Sequence, residues 1–295
     1  MESARPLRRL LYALSVPEIQ LLPEGTFSGL TTYPTVTTID YAHSDTPTRL
    51  LLRDGTERDV YFTVEGDSLA ASMYAEGPLA GGDVLLKDIC TRVSCGIATS
   101  ADKHFIRKTA SLDRELAAYA YPTVSGRQLV PENGEPELVD SILVPYDRSG
   151  RLLAFERLNG FGTYLEERKE SLLTRTCTDR KPWYAFHETP YIEKILRPKI
   201  LCKDVTEEPY FWVDRDGVIV PRHSVYYIIP RDGDVVDDLA DYMNGSEART
   251  WLRANCQRVR KGFIRLQSTV LKKLPLPGHF ATATLHPLFS SATAS

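Results

Sequence analysis

Residues 76–83 read EGPLAGGD, with three glycines and one proline in eight positions. Glycine widens the backbone's choices and proline removes a donor, so the stretch breaks helix and strand alike. It divides the 295 residues into a leading piece, 1–80, and a longer piece, 81–279. The whole is long enough for one large or two ordinary domains with a real core.

Short elements are expected on both sides of the break. Ahead of it, residues 6–14 suit a helix, and 31–40 (TTYPTVTTID) are β-branched and strand-like. Asp54-Gly55, between strand candidates at 49–53 and 57–64, reads as a hairpin turn. Behind it, strand candidates lie at 84–97, 104–107, 138–145, 150–156, 199–202, 210–213, 218–220 and 224–229. A helix is predicted from Thr163 to about Arg175, with Thr163 and Glu166 as a capping box. Two more are predicted over 234–244 and 246–259, and the Ala/Ser/Thr-rich residues 280–295 read as a flexible tail. The pattern is α+β.

Several classes are excluded. No run of 18 apolar residues occurs, so no membrane span is expected. Pro17 and Glu18 interrupt the only apolar stretch near the start, so no signal peptide is read. Five scattered cysteines are not a disulfide framework and point to reduced thiols in the cytoplasm. Cys90 and Cys95 have no second pair of ligands downstream, so no metal is expected.

The net charge of −3 conceals strong segregation. Residues 148–203 hold 12 basic and 7 acidic groups, a net of +5. Residues 204–248 hold 3 and 11, a net of −8, and residues 249–295 hold 8 basic groups and no acid. Basic blocks in an acidic chain suit a local polyanion contact, although one solvated helix face also produces such a block.

Catalytic signatures are missing. There is no nucleophile elbow, zinc-protease helix or P-loop. Gly160 and Gly162 resemble an anion-binding turn but read better as an ordinary turn into a helix. Asp179–Phe186 (DRKPWYAF) is more distinctive, because cations and three aromatic rings share a loop stiffened by proline. Such rings either stack on bases or pack beneath the loop.

Four segments, in this order, resemble a known family. GIATSADKHF (96–105) resembles the strand-turn-strand that opens the target-recognition region of adenine-specific DNA methyltransferases. DRKPWYAF resembles their R-K-P-W-Y loop. Residues 197–230 resemble the TaqI-like specificity domain, with P-K-I, an aromatic strand, a D-x-x-G turn and P-x-x-S-V-Y. FIRLQSTVLKKLPLP (263–277) resembles its closing R-x-Q…L-P-I-P segment. Ser100 stands where the family has glycine after Thr99.

The resemblance implies a mixed target-recognition domain over 81–279. Residues 1–80 would be the last strands of a truncated Rossmann-like α/β methyltransferase domain. No Pro-Pro pair, and hence no adenine-holding motif, occurs in the chain. The resemblance therefore implies no catalytic residue here, and S-adenosylmethionine belongs to the complete enzyme rather than to this chain. It implies double-stranded DNA as partner, met by Lys103, Arg180, Lys181, Trp183, Tyr184, Lys199, Arg222, Ser224, Arg265 and Gln267. A separate catalytic methyltransferase chain is a second expected partner. Two other readings stay open, an active methyltransferase and a non-catalytic module that docks a catalytic subunit.

Overall fold

The computed structural model describes residues 5–29, 34–42, 46–60, 82, 84–131, 134–259 and 262–282. The glycine-rich break at 76–83 lies outside them except for Gly82.

Residues 5–60 supply a helix, Arg5–Ala13, and strands β1 (Ser15–Leu21), β2 (Thr35–Asp40), β3 (Thr48–Leu51) and β4 (Glu57–Val60). The sheet order is β2-β1-β3-β4. β1 and β3 run parallel and the other two pairs antiparallel, so the sheet is mixed. The predicted hairpin turn forms. Gly55 takes φ 85°, which only glycine adopts without strain, and Asp54 accepts the Thr56 N–H at 2.9 Å. Val16, Ile19, Leu21, Leu50 and Val60 make a small core of their own. The edge strand β2 shows Val36 and Ile39 to solvent.

From residue 84 the strands are β5 (Val84–Leu85), β6 (Cys90–Cys95), β7 (Ile106–Lys108), β8 (Ala120–Thr123) and β9 (Asp140–Leu143). They continue with β10 (Lys199–Lys203), β11 (Val205–Thr206), β12 (Phe211–Asp214) and β13 (Val225–Pro230). The last are β14 (Gln257–Arg258), β15 (Ile264–Arg265) and β16 (Pro275–Leu276). The central sheet has the order β12-β10-β13-β6 and is antiparallel throughout.

Period-two alternation gives that sheet two apolar faces. Leu201, Trp212, Tyr227 and Ile229 enter one core, with side chains from residues 97–195. Ile200, Cys202, Phe211 and Ile228 enter the other, under the helices Val236–Asn244 and Ser246–Asn255 and the closing segment. Covering on both faces explains why β10 (KILCK) and β13 (VYYIIP) read as apolar runs rather than alternating strands.

Several local expectations are corrected. The helix predicted from Thr163 starts at Asn159, ends at Glu166 and is followed by a separate turn, Lys169–Leu173. Thr163 is thus inside the helix rather than its cap. Residues 150–156 form no strand, because Leu153 folds back to donate to the Pro145 carbonyl at 3.0 Å and a 3-10 turn, Phe155–Arg157, follows. Residues 218–220 join no ladder, and Val220 instead donates to the Pro122 carbonyl at 2.8 Å. Phe280, expected in the tail, is buried against Tyr242 with ring centroids 6.0 Å apart.

Candidate nucleic-acid interface

One end of the central sheet gathers the segments that the sequence singles out. β6 ends at Cys95, β10 at Lys203, and β13 begins at Val225, beside both. The next residue after β6, Gly96, donates to the Val225 carbonyl at 2.8 Å. A Cβ at Gly96 would collide with the carbonyl oxygens of Pro221 and Arg222, so glycine is required by close approach of two backbones. Ile97 donates to Pro221 and accepts from His223, at 2.8 and 3.0 Å.

The turn that follows is tight. Thr99 donates its hydroxyl proton to Asp102 at 2.5 Å and accepts the Ala101 N–H at 3.0 Å. Ser100 takes φ 57°, the left-handed region that glycine enters more easily. The turn keeps its shape with serine and carries some strain there.

Residues 179–186 dock on the helical turn Asp102–Phe105 that follows. Phe186 meets Phe105 edge-on, with centroids 4.8 Å apart. Arg175, which sequence reasoning did not single out, is buried between the two segments. Its guanidinium donates to the carbonyls of Leu172 at 3.0 Å, Thr99 at 2.9 Å and Trp183. Burial lowers its pKa from the ordinary value.

The sequence-derived residues have distinct environments. Lys103 and Arg180 are exposed. Lys181 is half-buried and closes its own loop by donating to the His187 carbonyl at 2.7 Å. Trp183 is half-buried against Phe155, 5.3 Å between centroids, and Tyr184 donates its phenol proton to the Leu153 carbonyl at 2.9 Å. Burial raises the Tyr184 pKa, with Glu156 acting in the same direction. Of the two roles open to these rings, Tyr184 has the packing one.

Lys199 is wholly buried and donates to Asp214 at 2.5 Å. Asp214 also accepts from the N–H groups of Val218 and Ile219 at 3.2 and 2.9 Å. The pair therefore pins the turn at Gly217 and leaves Lys199 without access to a phosphate.

Arg222 is paired with Asp140 at 2.5 Å, and Lys108 reaches the same carboxylate at 3.0 Å. Burial pushes the Asp140 carboxyl up, but hydrogen bonds from Lys108 and Arg222 outweigh it and leave the pKa below the ordinary 3.8. Ser224 accepts the Gly126 N–H at 3.0 Å. Arg265 is exposed and donates to Asp204 at 3.0 Å. Gln267 is half-buried, and its carbonyl starts the Ser268–Leu271 helical turn.

Arg222 and Ser224 line an open cleft of about 600 Å³, and Arg265 stands behind it through Asp204. The opposite wall is the turn Ser125-Gly126-Arg127, which sequence reasoning also missed. A cation beside a Ser-Gly turn was the available signal.

Other chemistry is not supported locally. The Asn159 helix start faces a carboxylate, because a Cβ at Gly160 would strike Glu115. An anion or cofactor phosphate does not fit there. Among the described residues no cluster suits a metal ion, and no helix is long and apolar enough to cross a membrane. The five cysteines are free thiols, and burial pushes those of Cys90 and Cys256 up to about 12.

Comparison with known proteins gives two sequence relatives. The Type II methyltransferase M.PaeR7I of Pseudomonas aeruginosa is 26% identical over 264 residues, covering 88% of this chain and 44% of the relative. The Type II methyltransferase M.BstVI of Geobacillus stearothermophilus is 23% identical over 192 residues, covering 63% of this chain and 33% of the relative. The chain thus spans less than half the length of either. No family model matches it. Among solved structures, the Type IIL restriction-modification enzyme MmeI in complex with DNA shares the fold, with a TM-score of 0.56 at 9% identity. That match covers 89% of this chain and 35% of MmeI.

Proposed function

We propose that this chain is the DNA target-recognition part of an adenine-specific methyltransferase or restriction-modification enzyme, with the TaqI-like specificity architecture over 81–279. One observation carries the reading. Segments 96–105, 179–186, 197–230 and 263–277 are dispersed in sequence yet are tied together at one region of the fold. The ties are Thr99–Arg175–Trp183, Ile97–Pro221 and Asp204–Arg265. The sequence relationship to Type II methyltransferases supports it.

Recognition without chemistry is consistent with the residues present. Methylating a base requires it to leave the stack and meet an aligned methyl donor. The Gly160 turn does not fit S-adenosylmethionine, since Glu115 already fills it. Methyl transfer then falls to a catalytic region or a separate catalytic chain. The exposed apolar residues of the leading unit, Leu7, Leu10, Val36, Ile39 and Tyr41, favour docking of that partner there. On this reading Lys103, Arg180, Arg222 and Arg265 meet phosphates or bases, Lys181 and Trp183 shape the loop, and Ser224 and Gln267 complete the surface.

Selection from a pool of duplexes with randomised centres tests the proposal. Enrichment of one short sequence is the expected result. Retention of the pool without enrichment, or no retention at all, contradicts it.

A further inference from the structure

The cleft at the end of the central sheet is lined by Arg127, Lys203 and the Ser224 hydroxyl. We infer that it is a phosphodiester subsite in which Arg127 and Lys203 carry the contact. The inference rests on the target-recognition reading and adds to it two residues and the class of group they hold.

Three observations converge. First, the two cations are uncommitted. Arg127 is exposed at the tip of its turn, Lys203 is half-buried at the end of β10, and both line the cleft with no ion pair among the described residues. The neighbouring Arg222 is ion-paired with Asp140, which Lys108 also reaches, and Arg265 is ion-paired with Asp204. An arriving phosphate therefore finds open charge at Arg127 and Lys203 first.

Second, the cleft walls are held in register without consuming its donors. Ser224 accepts the Gly126 N–H at 3.0 Å, which joins the two loops and leaves the hydroxyl proton for an acceptor. Gly126 keeps the wall low. A Cβ there would lie 3.1 Å from the Ser224 carbonyl oxygen and 3.8 Å from Lys203 Cγ, so the lysine stem runs across the glycine. Gln128 closes the turn from behind by accepting the Ser125 N–H at 2.8 Å.

Third, the lining carries no Phe, Tyr or Trp, and Val205 and the His223 imidazole are its only aliphatic or ring side chains, too little to cover a base. A base held outside the stack needs an aromatic or apolar face, whereas a sugar-phosphate group needs cations and hydroxyls. Two carboxylates also line the cleft. Asp204 is held by Arg265, and Asp102 accepts the Thr99 hydroxyl at 2.5 Å. Pairing at Asp204 leaves the cations in excess.

Affinity of the full chain for a fixed duplex, measured across salt, tests the inference with Arg127→Ala, Lys203→Ala and the double variant. Each lost phosphate contact removes about 0.9 from the slope of log affinity on log salt. Each single variant is expected to flatten the slope by that amount and to weaken binding roughly eightfold at 0.1 M salt. Arg151→Ala, which removes an exposed charge outside the cleft, is expected to leave both quantities unchanged. Inorganic phosphate is titrated in a parallel arm, and saturation by phosphate alone at micromolar levels reassigns the cleft to a free anion and overturns the inference. Wild-type slopes in both single variants also overturn it, while the target-recognition reading stands. Absence of any salt-dependent duplex binding by the wild-type chain overturns both.

Discussion

The Arg175 guanidinium donates to the Thr99 carbonyl at 2.9 Å from a site that is 8% exposed. Through the same group it also holds the carbonyls of Leu172 and Trp183. One side chain thus fixes the relative position of the turn at 99–102 and the loop at 179–186.

Arg175→Met is expected to destabilise the fold by about 3 kcal/mol, since buried carbonyls lose their donors. Arg175→Lys is expected to recover only part of that, because an ammonium does not reproduce the planar fork. Chemical denaturation of the three proteins gives the comparison.

Close backbone approach makes position 96 intolerant. Gly96→Ala places a methyl group 2.7 Å from the Arg222 carbonyl carbon and closer still to two carbonyl oxygens. A loss of about 2 kcal/mol is expected. Ser100→Gly works in the opposite direction. It relieves the φ of 57° and is expected to raise stability by roughly 0.5 kcal/mol, after the extra freedom of glycine in the unfolded chain is set against it. Thermal melts of both variants check the two signs together.

These positions show how far sequence reading reaches. β10 and β13 were legible because continuous apolar runs suit strands covered on both faces. The Val236–Asn244 helix was legible because Val236, Leu239, Ala240 and Met243 share a face. The cations and rings of DRKPWYAF were visible, but not which way they face. Tyr184 turns inward because the Leu153 carbonyl and the Phe155 ring, about thirty residues earlier, accept and cover it. Lys199 read as a surface cation because its partner, Asp214, lies on the strand paired beside it in the sheet, β12. Contacts distant in sequence decide both cases, and local composition carries no record of them.

Lys199 is expected to act on stability alone. Lys199→Met leaves the Asp214 carboxylate buried without its counter-ion, at a cost of about 3–5 kcal/mol. In the folded fraction the salt slope of duplex binding is expected to match wild type. A flattened slope in that fraction contradicts the structural role.

The Asp140 carboxyl gives a defined acid dependence. Its folded pKa lies below the ordinary 3.8, so the unfolded state binds the proton more readily. Its contribution is present in full above that value and is lost as pH falls through the lower folded pKa. Asp140→Asn is expected to flatten the stability profile below about pH 4 and to leave its slope above pH 5 unchanged. Denaturant midpoints at several pH values resolve the difference.

The central claim is that this surface binds duplex DNA through its cations. Its most direct test is the affinity of the full chain for a duplex between 50 and 200 mM salt. With phosphate contacts from Lys103, Arg180, Arg127 and Lys203, and up to two more from the ion-paired Arg222 and Arg265, the logarithmic slope is expected to lie between about −3.5 and −5.5, at roughly −0.9 per phosphate. A slope near zero, or no detectable binding at 50 mM salt, contradicts the account.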